Sequence, residues 1–104
     1  MFATVRRYEG IDVSHKVELT GKVNETLAPR LSKMPGFGGY FLIDTGNGVM
    51  SSIGFFDTSA HADESTRIAA TWIREEKLET VLPNEPKITD GEVIAHKKNG
   101  FVQA

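Results

Sequence analysis

Apolar residues recur along this chain with two different spacings, and each spacing predicts a type of element. From Phe2 to Tyr8, β-branched and aromatic residues crowd together, which predicts a first strand that Gly10 ends. Asp12 or Ser14 is placed to cap a following helix, whose first N–H groups need an acceptor. Leu19, Val23, Leu27 and Leu31 then recur at every fourth position and make one apolar stripe. Gly21 weakens that helix. Pro29, which has no N–H to donate, is expected to kink it or loosen its last turn.

Met34-Pro35-Gly36 reads as a turn, followed by Phe37 and the apolar run 40–43. After Asp44-Thr45-Gly46-Asn47-Gly48 a second run extends from Val49 to Phe56. Asn47-Gly48 suits the positive φ angles of a tight hairpin turn, so the two runs should pair antiparallel. Asp57, Thr58 and Ser59 offer a choice of caps for a second helix reaching about Leu78. Ala62, Ser65, Ala69, Trp72 and Ile73 fall on one side of it, while Arg67, Arg74, Glu75 and Lys77 mostly fall elsewhere. Leu82-Pro83-Asn84-Glu85-Pro86 is a rigid connection that no helix crosses. A last strand is expected over 92–97, with a short tail over 98–104.

The order strand-helix-strand-strand-helix-strand describes one α+β domain spanning residues 1–104, an antiparallel sheet with both crossover helices on one face. The strands look apolar on both faces. Tyr40 and Leu42 point one way and Phe41 and Ile43 the other, and Phe55 and Phe56 split likewise. One face can lie under the helices. The other leaves an apolar patch in water, at about 25 cal/mol per Å². Packing that face on a second copy removes the patch, so a homodimer is expected.

Composition narrows the function classes. Twelve basic and fourteen acidic residues give a formal charge of −2 with no long run of one sign, which argues against a nucleic-acid partner. There is no cysteine, which removes disulfides, thiol catalysis and zinc-thiolate sites. No window approaches the run of about 18 apolar residues that a membrane helix needs, so no membrane partner is expected. The N-terminal residues are too short in apolar content for a signal-peptide core, and the expected location is cytoplasmic.

Few residues stand out as chemistry. Trp72 is placed to line a cavity between helix and sheet and to donate its indole N–H to a bound oxygen, although a lone inward tryptophan more often fills the core. Tyr40 would present a phenol to the same cavity, or pack with its hydroxyl at the surface. Arg6 and Arg7 point to opposite faces of the first strand. The one meeting the interior needs a carboxylate or an anionic ligand, and Asp44 or an acid of the dimer mate would serve. His96 alternates with Ile94 on the expected last strand and would titrate near neutral pH as a general base, though a surface or satisfied histidine is the commoner outcome. His15, His61 and His96 lack metal-site spacing, so no metal is expected. Gly36-Phe37-Gly38-Gly39 lacks the ending of a phosphate loop, and Ser51 and Ser52 have no nucleophile elbow.

The Pro35-Gly36-Phe37 turn entering the second strand, Tyr40 on that strand, the hairpin after it and Trp72 on the second helix together resemble the dimeric α/β-barrel superfamily of ferredoxin-like topology, particularly its antibiotic-biosynthesis-monooxygenase-like group. The resemblance covers roughly residues 2–96. It implies a βαββαβ domain paired into a barrel, in a group that includes cofactor-free oxygenases of aromatic substrates, haem-degrading enzymes and isomerases. The first strand lacks the asparagine of the haem-degrading relatives. His61 precedes Trp72 where their axial histidine follows the tryptophan, which argues against haem degradation. Of the groups the cofactor-free oxygenases use, Trp72 and Tyr40 have counterparts. The first expectation is a homodimer binding an aromatic or lipid-like small molecule without a cofactor, with Trp72, Tyr40, His96 and Arg6 as candidate ligand contacts. The alternatives are a cofactor-independent monooxygenase of a hydroxylated aromatic, and a structural dimer with no ligand.

Overall fold

In the structure, a computed structural model that describes residues 1–97, the mixed N-terminal run forms β1 (Phe2–Tyr8). The paired runs form β2 (Phe37–Gly46) and β3 (Val49–Phe56), and a fourth strand, β4, spans Lys87–Glu92. All neighbours pair antiparallel in the order β2-β3-β1-β4. The hairpin turn is as expected: Asn47 and Gly48 have φ of 58° and 74°, the paired positive values of a type I′ turn. The segment after β1 is tied to that turn by the Ile11 N–H, which donates to the Gly48 carbonyl at 3.0 Å.

β4 corrects the expectation of a strand over 92–97. It starts directly after Pro86, and its pairing with β1 is finished when the Val93 N–H donates to the Met1 carbonyl at 2.8 Å. Residues 94–97 therefore have no ladder to join, and Ile94 is exposed. All six residues of β4 are exposed, so this edge strand is defined by backbone hydrogen bonds and leaves no apolar pattern to read. The tail expected over 98–104 lies outside the described residues.

The first helical arm is compound. A 3₁₀ turn (Val13–His15) capped by Asp12 leads into α1 (Lys16–Lys22), a π-helical turn (Val23–Leu27) and α2 (Ala28–Ser32). Pro29 offers no N–H to the carbonyl four residues back, and its ring crowds that carbonyl. The arm widens by one residue just before it, and the Ala28 N–H donates to the Val23 carbonyl five residues back. This turn also resolves a geometric problem. In a uniform α-helix, at about 100° per residue, positions 19 and 31 would lie roughly 120° apart around the axis. One extra residue in the π turn removes most of that drift, and Leu19, Val23, Leu27 and Leu31 are all buried.

The second helix, α3 (Ser59–Glu75), takes Thr58 as its cap, whose Oγ1 accepts from the His61 N–H at 3.1 Å. It stops short of Leu78. Lys77 turns left-handed at φ 56°, the Lys77 N–H donates to Arg74 O and the Leu78 N–H to Ile73 O, and Leu78 folds back into the core. That pair of bonds is a Schellman ending.

Both helical layers cover one face of the sheet. Thr4, Arg6, Tyr8, Met50, Ser52 and Phe56 are buried on that face, while Val5, Ile53 and Phe55 lie half-buried on the other. Phe41 and Ile43, also on the open face, are 49% and 43% exposed. Phe41 and Phe55 meet there edge to face at 6.4 Å. The result is an α+β ferredoxin-like arrangement with an uncovered, largely apolar sheet face. No helix among the described residues is long and apolar enough to cross a membrane.

Candidate functional site

The sheet places Tyr40, Ser52, Arg6 and Tyr8 on one face within neighbouring strands: Ser52 is opposite Arg6 in the β1–β3 ladder and opposite Leu42 in the β2–β3 ladder. Trp72 descends onto this face from α3, and the stripe of the first arm closes over it. Tyr8, Leu27, Tyr40, Met50 and Trp72 help to enclose a void of about 20 Å³. That is room for one water and far too little for an aromatic ligand. The single cavity expected between helix and sheet is thus a packed core with open clefts on either flank.

The first cleft, about 280 Å³, lies between the first helical arm and β2. Val23, Ala28, Leu42 and Met50 form its apolar lining, and Lys16, Thr20, Asn24 and Asp44 supply polar groups, with Tyr40 also on its wall. Lys16 Nζ donates to Asp44 Oδ2 at 2.7 Å and ties the arm to the strand. That hydrogen bond holds the Asp44 carboxyl below the usual carboxylate range, with the Gly46 N–H adding to it. The second cleft, also about 280 Å³, lies between α3 and the β1–β4 edge, with Arg6, Tyr8, Thr66 and Ile88 among its walls. The two clefts share no lining residue.

The expected site residues separate. Tyr40 borders both the closed void and the first cleft, whereas Trp72 borders only the void. Its indole N–H is already engaged, donating to Thr26 Oγ1 at 2.7 Å, and Thr26 in turn donates to the Lys22 carbonyl. His96 is exposed beyond the end of β4 and borders neither cleft, because the strand expected to carry it ends at Glu92.

Arg6 is the interior arginine and Arg7 the exposed one, bound to Glu9 at 2.8 Å. Asp44 does not serve Arg6, since Lys16 holds it. A partner packed on the open face would meet the opposite side of the sheet from the Arg6 side chain. Arg6 is 2% exposed, its Nε has no hydrogen-bond partner, Nη1 donates to Thr66 Oγ1 at 3.5 Å, and the Tyr8 and Tyr40 phenols lie against the same guanidinium. Burial pushes both the Tyr8 and Tyr40 phenols up from their usual value, and Arg6 nearby pulls against it without prevailing. At neutral pH they remain O–H donors.

Several contributors had escaped the sequence reading. Tyr8 carried a legible signal, being two residues beyond Arg6 and therefore on the same strand face. Thr26, Thr66 and Ile88 carried none, since their roles depend on residues from other elements. Among the described residues no group of acidic and histidine side chains is gathered as a metal site.

The sequence matches no protein-family model and no curated protein. Solved structures do match. A protein of unknown function from Nitrosomonas europaea superposes with a TM-score of 0.74 at 21% identity, covering 95% of this chain and 94% of its own. A Streptomyces coelicolor monooxygenase in complex with nanaomycin D superposes at 0.70 with 12% identity, over 95% and 92% of the two chains. This chain has the fold of the antibiotic-biosynthesis-monooxygenase-like proteins. A variant of MhuD with two manganese protoporphyrin IX molecules per active site shares that ferredoxin-like fold, with a TM-score of 0.74 at 14% identity over 95% and 100% of the chains. At such identities the likeness establishes the fold, and activity has to be argued from this chain's own residues.

Proposed function

We propose that the protein is a homodimer that binds a small molecule in the cleft between the first helical arm and β2, without a cofactor. The observation that carries this reading is the cleft itself, about 280 Å³ with an apolar lining and polar groups from Lys16, Thr20, Asn24 and Asp44. Such a mixture suits a flat apolar body with polar edges, and a hydroxylated aromatic fits that description. Tyr40 closes the sheet side of this cleft, and its phenol stays protonated beside Ser52 and Arg6. The π-helical turn contributes Val23 and Asn24 to the cleft, and π turns recur at functional sites. The dimer is supported by the open sheet face, where Val5, Phe41, Ile43, Ile53 and Phe55 would otherwise keep apolar area in water.

The cofactor-independent oxygenase reading has less support, because it uses Trp72 as a donor to substrate and that N–H is given to Thr26. Haem degradation has none from these residues: β1 contains no asparagine and no histidine follows Trp72 on α3.

Light scattering should give the mass of a dimer, and hydroxylated polycyclic aromatics should raise the melting temperature by mass action. Tyr40→Phe should reduce that shift while leaving the dimer intact. A monomer in solution at micromolar concentration would sink the dimer. An unmoved melting temperature across the library would leave a structural dimer as the better reading. Oxygen uptake with a binder, abolished in Trp72→Phe, would restore the oxygenase.

A further inference from the structure

Among the described residues two buried side-chain polar atoms lack a hydrogen-bond partner, Thr4 Oγ1 and Arg6 Nε, and only the second belongs to a charged group. A buried arginine is ordinarily matched by a carboxylate, because a desolvated charge without a counter-ion is costly. Among the described residues the nearby acids are committed elsewhere or stay outside: Asp44 pairs with Lys16, Glu9 with Arg7 and Lys87, and Glu85 is exposed at the cleft mouth without an ion pair. The hydroxyls around Arg6 are neutral. Arg6 nevertheless lines a cleft with apolar walls from Ala70, Ile73, Pro86 and Ile88, and its Nε lacks a partner.

We propose that the cleft between α3 and β4 is a carboxylate-binding site, in which Arg6 holds the head of a small apolar carboxylic acid and the cleft walls hold its body. A guanidinium presents parallel N–H groups that match the two oxygens of a carboxylate, and Nε is one of them. Tyr8 and Thr66, on the same cleft, bring hydroxyls beside that head. Charge count selects a monoanion over a phosphate. Arg6 is the one cation lining the cleft and Glu85 is an acid on it, so a dianion would be left undercompensated. This site shares no lining residue with the cleft assigned above to an aromatic ligand, and either assignment can fail without the other.

The test titrates the full-length ¹⁵N-labelled protein with octanoate and, separately, with octanamide, which has nearly the same shape and no charge. Octanoate should bind at least about ten-fold tighter, as expected when a hydrogen bond to a charged group is added. The Arg6 Nε–H signal should move with octanoate alone. In Arg6→Met the preference should vanish, leaving both probes with the weak affinity of octanamide. Equal binding of the two probes to the wild type, or a preference that survives in Arg6→Met, overturns the assignment. If Arg6→Met does not fold, a stationary Arg6 Nε–H signal in the wild type overturns it equally. Octanoate binding that appears only in Glu85→Gln would mean that Glu85 is itself the counter-ion of Arg6, and would also overturn it.

Discussion

Replacing Thr26 by valine keeps the shape of the side chain and removes the acceptor of the Trp72 indole N–H. In the native protein that bond is 2.7 Å long and joins the π-helical turn to α3, with Trp72 only 2% exposed. Valine offers no acceptor, so the buried indole N–H loses its protein partner, and a donor left unsatisfied costs about 1–3 kcal/mol. The bond from Thr26 Oγ1 to the Lys22 carbonyl is lost as well. Taking about 2 kcal/mol, and about 4–8 °C per kcal/mol for a domain near this size, the melting temperature should fall by roughly 8–16 °C. Urea unfolding followed by fluorescence is a direct assay, because Trp72 is the sole tryptophan. The midpoint should fall with the slope unchanged. A double-mutant cycle with Trp72→Phe, read by circular dichroism, should return a coupling of about 1 kcal/mol or more. A loss below about 0.5 kcal/mol in Thr26→Val, or additive single variants, would refute the reasoning and return the indole N–H to the list of donors available to a ligand.

Two further outcomes follow from the core. The chain's two tyrosines are Tyr8 and Tyr40, so phenolate absorbance near 295 nm reports on them alone. Both have folded pKa values raised above the unfolded value, so the stability tied to their neutral form is complete below about pH 10 and is lost as pH rises from there through the folded values. Absorbance should therefore rise together with unfolding, and a normal titration near pH 10 with the fold intact would contradict the burial of both phenols. Leu31, at 0% exposed, anchors the far end of the four-residue stripe, and Leu31→Ala should cost about 2–5 kcal/mol in urea denaturation. A cost under 1 kcal/mol would mean that the π turn does not lock the stripe against the core.

Much of the fold was legible because it depends on local periodicity. The hairpin follows from Asn47-Gly48 between two apolar runs, and the buried face of the first arm follows from leucines and valine at every fourth position. Pro29 within the same stripe marked where the helix would kink or loosen, and the one-residue widening just before it became visible only in the structure. The open apolar face was likewise implied by strands that are hydrophobic on both sides.

Tertiary structure decided the rest, and the reason is the same in each case. β4 earns its place through backbone hydrogen bonds to β1 and buries none of its own side chains, so Lys87-Ile88-Thr89-Asp90-Gly91-Glu92 carries no periodic mark, and His96 was placed on a strand that had already ended. The Trp72 N–H is satisfied by Thr26, 46 residues away, and no spacing rule connects the two. One of Arg6 and Arg7 was bound to turn inward, but whether an acid would meet it depended on where Asp44, Glu9 and Glu85 came to lie. Sequence periodicity fixes which face of an element is buried. The partner each buried polar group finds there depends on distances across the fold, and those exist only once the elements have packed.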